Sequence, residues 1–294
     1  MSHWTGPAGG VVPDISLLTW NFEPAVVAPV LTAAGLYLDG WRTVSRRMPD
    51  RFGARHVVAT MAGLASILLA LTSPIDALSD LLCFVHMSQH LLLMMVAPPL
   101  LWMGAPVVPM LLGLPRSIRR IIVTVAARPL SRRLNHFFAD PRVGWVMFIV
   151  ALWAWHVPVL YDLALRSENW HYVEHACFFV TALLFWRPVI QPWPTQVPWP
   201  RWAMIPYLVL ADFQNSALAA ILTFSDHVLY PTYGTVPRIW GLSALQDQAI
   251  AGVVMWVPGS LAFLLPVVWL VATGLMASTS SPRRIAPGHG TGNC

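Results

Sequence analysis

The sequence contains no lysine and few acidic residues, and each shortage narrows the class of protein. All 18 basic residues are arginine, Asp and Glu together number 13, and only 11% of the chain is charged. Nucleic-acid binding requires a basic face on a soluble domain, yet 56% of the residues are hydrophobic. A soluble core cannot hide so many apolar side chains without leaving an apolar surface. The composition therefore argues against a nucleic-acid partner and predicts a protein dissolved in lipid.

Cysteine and the common catalytic motifs are also missing or scarce. The three cysteines, Cys83, Cys177 and Cys294, are too few and too scattered for a disulfide framework or a paired-thiolate zinc site. The chain has no nucleophile elbow, glycine-rich phosphate loop, HExxH, CxxC or CxxCH motif. We therefore expect neither a hydrolase, nor a nucleotide-driven pump, nor covalently attached haem, and we predict that the protein is not an enzyme.

Long apolar stretches dominate what remains. A membrane-spanning helix needs about 20 mostly apolar residues, because its backbone hydrogen bonds must close within the segment. Seven stretches qualify, at approximately 24–40, 56–73, 81–104, 143–160, 171–190, 202–224 and 249–274. An eighth, 105–114, is too short and is bounded by prolines. The residues before the first stretch are acidic, whereas a cleaved signal peptide begins with positive charge. We therefore interpret this stretch as a retained helix.

The sequence thus predicts an all-α, polytopic membrane bundle of about seven helices, with one domain over residues 1–276 and a disordered cytoplasmic tail over 277–294. Sixteen of the 18 arginines fall on one side of this topology, and only Arg166 and Arg238 fall on the other. Since positively charged loops stay in the cytoplasm, the amino terminus is predicted outside and the carboxy terminus inside.

Two loops have a composition of their own. The loop 115–142 is basic and partly amphipathic, typical of a segment lying on anionic headgroups or of an ordinary positive-inside loop. The outer loop 225–247 is rich in Pro, Gly and aromatic residues and is long enough to fold over the mouth of the bundle. Its Trp and Tyr residues are equally typical of interface anchors.

Histidines recur at helical spacing in two predicted spans. His86 and His90 are four residues apart in the third span, and His171, Glu174 and His175 share a face of the fifth. Ionisable groups in a membrane are costly and mark candidate sites, and histidines from two helices can bind one metal ion. The candidate metal ligands are His86, His90, His175, His171 and His156. The competing interpretation is that they only bond neighbouring helices or water.

Other polar and sulfur-containing residues lie near these histidines. The candidates for orienting the ligands or relaying protons are Glu174, Asp212, Asp247 and Gln89. The possible soft ligands are Met87, Cys83 and Cys177, which favour copper. Methionine is also a common gap-filler in helix bundles, and Asp212 can equally tie its helix to a neighbour.

Three sequence blocks resemble one family. HMSQHLLLMMVAPPLLWMGAP at 86–106, WHVPVLYDLAL with WHYVEHACFFVTALLFWRPV within 155–189, and DFQNSALAAILTF with LQDQAIAGVVMWVPG within 212–259 occur in the order found in CtaG-type cytochrome c oxidase assembly factors. The resemblance implies a seven-helix protein of the bacterial plasma membrane whose partners are lipid and the subunits of a haem–copper oxidase. The matching positions are His86, His90, His156, Glu174 and His175, with Asp212 and Asp247 as acidic partners.

We therefore expect a chaperone of respiratory-chain biogenesis that assists copper delivery or copper-site formation from the outer side of the membrane. Three alternatives remain: a haem-binding or haem-handling protein, a proton-coupled transporter that uses the buried His, Asp and Glu residues, and a scaffold whose polar residues only hold its helices together.

Overall fold

Helices make up the regular secondary structure of the part of the chain that the computed structural model describes, residues 20–279 except Gln196 and Pro198. The α-helices are α1 Pro24–Arg47, α2 Ala54–Thr72, α3 Pro74–Ser79, α4 Cys83–Leu91, α5 Ala97–Met103, α6 Val107–Gly113, α7 Arg116–Ala126, α8 Pro129–Ala139, α9 Pro141–Trp155, α10 Pro158–Arg166, α11 Glu168–Ile190, α12 Met204–Phe224, α13 Thr232–Thr235 and α14 Ala244–Thr279. The predicted all-α membrane class is confirmed.

Five helical segments are long and apolar enough to cross a membrane. They are Ala54–Thr72, Cys83–Met103, Glu168–Ile190, Arg201–Phe224 and Ala244–Met276. These segments coincide with the predicted second, third, fifth, sixth and seventh spans. α1 has 24 residues, which is long enough to cross, but its second half carries Asp39 and Arg42, and it does not meet the same criterion.

The predicted fourth span, 143–160, is not one continuous helix, because α9 ends at Trp155 and α10 begins at Pro158. α8 and α9 meet the spanning criterion only as a pair, and their axes differ by 67°. Between them lies Asp140, whose carboxylate accepts a hydrogen bond from the Arg142 amide at 2.9 Å and so begins a new helix before Pro141. The described chain thus has five candidate spans, or six with this pair. The count of seven and the orientation remain predictions.

The third span continues through two consecutive prolines by changing its helical form. Pro98 lacks the amide that would bond to the Met94 carbonyl, and a π-helical turn, Leu92–Val96, precedes it. The Trp186 indole of α11 donates to the Met94 oxygen at 2.9 Å, so this carbonyl has a partner from outside its own helix. This bond also fastens α11 to the third span.

Aromatic rings hold α9, α11, α12 and α14 together. Phe148 stacks on Phe185 with ring centroids 4.4 Å apart, and Trp186 stacks on Phe263 at 6.0 Å. Tyr207 of α12 stacks on Phe185 at 4.8 Å and donates to its carbonyl oxygen at 3.0 Å. These four phenylalanine and tryptophan rings are fully buried. The cytoplasm-facing half predicted for α11 is therefore anchored, which positions its polar amino-terminal half.

Two glycines bring α1 and α6 into close contact. A methyl group on Gly40 would overlap the Pro109 carbonyl, and one on Gly113 would overlap the Leu36 carbonyl. α6 has only seven residues, and it is too short to span, as the sequence predicts for 105–114. It lies instead against α1, where only glycine permits the backbones to approach so closely.

The loop predicted over 115–142 forms two helices, α7 and α8, which contain no buried residue. At the carboxy terminus, α14 continues to Thr279, three residues past the predicted domain boundary. The rest of the predicted tail, with Cys294, lies outside the described residues, as do residues 1–19.

Candidate metal centre

α4 and α11 bring their polar faces together where α11 begins. The His86 ring centroid lies 4.3 Å from that of His90 on the same helix and 5.2 Å from that of His171 across the interface. His175 lies 4.2 Å from His171 and 5.3 Å from His90. Spacings of four residues place each pair on one helix face, but only the facing of α4 and α11 joins the two pairs.

Glu174 lies between the two helices. One of its carboxylate oxygens is 3.8 Å from the His86 Nε2 atom, and the other is 3.9 Å from the His90 Nε2 atom. Both distances exceed a hydrogen bond. We call His86, His90, His171, Glu174 and His175 the histidine cluster.

Most side-chain nitrogen and oxygen atoms of this cluster are buried and have no hydrogen-bond partner among the described residues. Glu174 and His86 are fully buried, and His90 and His175 are 4% and 6% exposed. The atoms without a partner are Nδ1 and Nε2 of His86, Nδ1 and Nε2 of His90, Nε2 of His171, Nε2 of His175, and both carboxylate oxygens of Glu174. Buried polar atoms normally have partners, and leaving one unpaired costs about 1–3 kcal/mol. These lone pairs are therefore available to a ligand.

The spacing of these atoms fits a metal ion. One donor atom from each of His86, His90, His171 and Glu174 lies within 4.8 Å of the others. Metal–nitrogen bonds of about 2.0 Å in a tetrahedral site put ligand atoms about 3.3 Å apart. Small side-chain rotations would close this difference, so the residues present fit a bound cation of the type that imidazole prefers.

His156 lies at the edge of the cluster. Its Nδ1 atom is 2.7 Å from the Leu152 carbonyl oxygen of its own helix, while its Nε2 atom is buried and unpartnered. Its ring is closest to Phe178 and Tyr161, at 6.2 and 6.4 Å between centroids. The structure therefore does not bring His156 into the four-residue donor group.

Two polar residues that the sequence places near the histidines bind the backbone instead. Asp247 of α14 accepts hydrogen bonds from the Cys83 and Phe84 amides, at 2.9 and 3.1 Å, and Arg238 lies 3.6 Å from its carboxylate. Asp247 thus satisfies the otherwise unpaired first amides of α4. Gln89 donates to the Ala70 carbonyl at 2.9 Å, which ties α4 to α2. Both residues position α4 rather than the imidazoles.

Asp212 and the sulfur atoms stand apart from the donor group. Asp212 is half-buried on α12, and no hydrogen bond or ion pair among the described residues joins it to a histidine. The Cys83 thiol is buried 3.9 Å from the Tyr161 hydroxyl. Met87 lies in the apolar core, and Cys177 is half-buried beside it. Within the described chain, the four-residue donor group contains no sulfur.

Three tyrosines that the sequence does not single out cover the cluster. Tyr161 of α10 lies 5.1 Å from the His86 ring and stacks on Tyr230 at 3.8 Å. Its hydroxyl is 3.5 Å from that of Tyr233, which donates to the Ser79 carbonyl at 2.7 Å. Burial raises the pKa of all three phenols well above their usual value, which keeps them neutral. Tyr230 and Tyr233 show that the 225–247 loop folds over the bundle, as predicted.

A polar cavity of about 310 Å³ reaches the cluster from another side. His171 and His175 line it together with the carboxylates Glu23, Asp76, Asp80 and Glu168 and one arginine, Arg166. We call it the acidic vestibule.

Burial and neighbouring charge act on the Asp76 carboxyl in this vestibule. Burial raises the pKa of Asp76 to about 6, although the hydrogen bond that it accepts from Gln89 at 2.8 Å opposes the rise. Repulsion from Asp80, Glu23 and Glu168 adds to the rise in pKa. Burial also raises the pKa of Asp80. Sequence reasoning missed these carboxylates because they lie in three separate segments at helix ends.

Comparison with known sequences adds a family. The sequence model described as the cytochrome c oxidase caa3 assembly factor matches residues 35–276. An uncharacterized protein of Mycobacterium bovis and one of Mycobacterium tuberculosis are each 26% identical over 267 residues, and one of Mycobacterium leprae is 22% identical over 262. The matches cover 86–87% of this chain but only 39% of each relative. No solved structure matches the chain.

Proposed function

We propose, starting from the fact that the chain belongs to the cytochrome c oxidase caa3 assembly factor family, that it helps to build a haem–copper oxidase by binding copper in the histidine cluster. It passes the ion to an oxidase subunit and catalyses no reaction. The protein lies in the bacterial plasma membrane, with the cluster near the outer face. The observation that carries the proposal is the set of four donor atoms within 4.8 Å, buried and without hydrogen-bond partners.

We choose copper because of the metal that the oxidase requires, and not because the site contains sulfur ligands. Neutral imidazole binds copper, zinc, iron and nickel, and the donor group of His86, His90, His171 and Glu174 contains no thiolate or thioether. A haem–copper oxidase requires copper, so an assembly factor with an imidazole site has an evident ion to carry.

Each residue of the cluster has a distinct part in holding such an ion. The three imidazoles supply neutral lone pairs, which a cation can occupy without a proton first leaving. The Glu174 carboxylate supplies a negative charge, which lowers the cost of placing a cation away from water. The stacked rings of Tyr161 and Tyr230 cover His86 and exclude water from that side.

Haem is the weaker alternative for this geometry. Two axial imidazoles bind haem iron from opposite faces of the macrocycle, which must fit between the two rings. The ring centroids of His86 and His90 are only 4.3 Å apart and the rings are nearly perpendicular, so no macrocycle fits between them. An absorption spectrum of the purified protein without a Soret band is the expected result.

The test is the metal content of protein purified from copper-supplemented cells, measured by mass spectrometry. We expect about one copper ion per chain, and a decrease of roughly tenfold or more in the variant His86→Ala/His90→Ala. The matched control is His227→Ala, because the exposed imidazole of this residue bonds, among the described residues, only to the side chain of its neighbour Asp226. Copper should remain at the wild-type level in that variant.

Oxidase assembly provides the second measurement. Cells that lack the gene for this protein are supplied with one variant at a time. With the double variant the oxidase should contain too little copper, whereas with His227→Ala its copper content should return to the wild-type level. Equal and negligible copper in the wild type and the double variant would contradict the metal site. A fully copper-loaded oxidase in the double variant would favour the scaffold interpretation instead.

A further inference from the structure

The acidic vestibule differs from an ordinary acidic surface because it ends at buried ligand atoms. His175, only 6% exposed, lines the cavity, and its Nε2 atom has no hydrogen-bond partner. His171 lines the same cavity and belongs to the four-residue donor group. The vestibule is therefore continuous with the metal centre through these two imidazoles.

The charge of the vestibule is strongly one-sided. The carboxylates of Glu23, Asp76, Asp80 and Glu168 line it, whereas Arg166 is its one lining arginine. Arg166 is partly committed elsewhere, because its guanidinium lies 3.7 Å from the Asp162 carboxylate.

Two of these carboxylates are held unusually close together. The Tyr172 hydroxyl is within hydrogen-bond distance of both Glu23 and Glu168, although a phenol has only one proton to donate. Glu23 precedes α1 and Glu168 begins α11, so two distant segments converge on one phenol. Like charges gathered in a recess repel each other and attract cations.

Packed tyrosines cover another part of the cluster. The Tyr161 ring lies 5.1 Å from the His86 ring, Tyr230 stacks on Tyr161, and Tyr233 fastens this layer to the Ser79 carbonyl. A cation that approaches the cluster from the tyrosine side meets packed aromatic rings, whereas one that approaches through the vestibule meets carboxylates and then imidazoles.

We propose that the acidic vestibule is the access route of the metal centre and holds a cation transiently on its carboxylates before His171 and His175 pass it inward. This inference rests on the proposed function, because it presumes that the cluster binds a metal ion. The transfer is a ligand exchange: the bonds from the ion to carboxylate oxygens and water break as bonds to imidazole nitrogens form, and the ion keeps its charge. The vestibule sets the rate of loading, and the cluster sets the affinity.

The experiment measures how fast copper enters the purified full-length protein in lipid nanodiscs. Copper is supplied from a coloured chelator, and the loss of the chelator's absorbance is followed after rapid mixing. The rim variant is Asp80→Asn/Glu168→Gln, and the matched control is Asp39→Asn, an exposed carboxylate on α1 whose only ion pair among the described residues is with Arg42. Arg166→Gln removes a positive charge from the vestibule and tests whether this charge slows the entry of the cation.

We expect the rim variant to load roughly tenfold more slowly at low salt, within the range for electrostatic steering, and to lose the salt dependence of the wild-type rate. Arg166→Gln should load faster, Asp39→Asn should match the wild type, and all four proteins should bind the same final amount of copper.

The outcomes separate the two proposals. A wild-type loading rate in both the rim variant and Arg166→Gln, with normal final copper, would overturn the access route and leave the metal centre standing. Failure of the wild type to take up copper at all would overturn both. Because Arg166→Gln is expected to accelerate loading, a misfolded rim variant cannot by itself produce the expected pattern.

Discussion

The histidine cluster and the basic helix pair, α7 and α8, both depart from the usual burial of side chains, in which apolar groups are buried and ionisable groups are exposed to water. In the cluster, most of the ionisable side chains are buried, and the Nε2 atom of each imidazole and both Glu174 oxygens have no hydrogen-bond partner among the described residues. In the helix pair, no residue is buried, and Ile121 and Leu130 are 63% and 68% exposed. Neither region finds a partner for these groups within the described chain. Under the proposed function the partner of the cluster is a cation, and we propose that the partner of the helix pair is an apolar surface with negative charge.

The two regions also differ in how they are held. Asp247, Gln89 and Trp186 fasten α4 and its continuation to three other helices through bonds to the backbone. The helix pair contacts the bundle mainly where α8 meets α9 and α11. A buried site must be rigid to keep unpaired donors in place, whereas a segment that lies on a lipid surface takes its order from that surface.

The largest expected effect tests whether the cluster needs its cation. Wild-type protein should be stabilised by copper by about 2.7 kcal/mol at a concentration one hundred times the dissociation constant. His90→Leu should lose this stabilisation, yet its metal-free form should be more stable than the metal-free wild type, because two buried unpaired nitrogens are removed. Thermal unfolding in detergent, with copper or with a chelator, measures both changes.

The control for this prediction is His227→Leu, which alters an exposed histidine and should change neither melting temperature. A metal-free His90→Leu protein that melts well below the metal-free wild type would mean that the His90 nitrogens already have good partners, and the contrast with the helix pair would disappear.

An intermediate effect tests whether the helix pair needs anionic lipid. Each arginine near an anionic surface contributes about 1 kcal/mol, so Arg119→Gln/Arg120→Gln should weaken attachment of α7 by about 2 kcal/mol. Amide hydrogen exchange of the full protein in nanodiscs should show α7 protected in anionic lipid and less protected in the variant. In zwitterionic lipid the two proteins should exchange alike.

His86→Ala/His90→Ala is the matched variant from the other region, and it should leave exchange in α7 unchanged. Equal protection of α7 in anionic and zwitterionic lipid would show that the segment is an ordinary positive-inside loop.

The smallest expected effect concerns Asp76 at the edge of the vestibule. Its pKa of about 6 lies above the usual 3.8 because burial disfavours the carboxylate. The folded protein therefore binds the proton more tightly than the unfolded chain, and stability falls as pH rises from about 4 through 6. Asp76→Asn should remove this loss, so the melting temperature of the variant relative to wild type should rise between about pH 4 and pH 7, with chelator present.

Asp39→Asn, an exposed carboxylate on α1, should leave the pH dependence as it is in the wild type. A wild-type slope in Asp76→Asn would show that Asp76 does not sense the vestibule.

Sequence reasoning located the helices better than it located their breaks. Five predicted spans coincide with five helical segments, because length and hydropathy are local properties. The break between α9 and α10, inside the fourth predicted span, was missed, although proline is a common first residue of a helix and Pro158 begins α10. The π-helical turn before Pro98 cannot be derived from its own segment, because the partner of the freed carbonyl, Trp186, is 92 residues away.

The sequence predicts only those parts of the site that depend on spacing within one helix. Spacing alone places His86 with His90, and His171 with Glu174 and His175, on their own helix faces. The assignment of Asp247 and Gln89 to the histidines could not be made correctly from spacing, because their backbone partners lie on other helices. The covering tyrosines and the vestibule carboxylates come from loops and helix ends, where no periodicity marks them.

By itself, the sequence determined the membrane environment, the helical class and the two histidine faces, because hydropathy and helical period act within a single segment. Only the tertiary structure decided that the two faces meet, that Glu174 lies between them and that tyrosines close one side while carboxylates line another. Those features depend on how helices cross, and crossing is set by side-chain contacts between segments far apart in the chain.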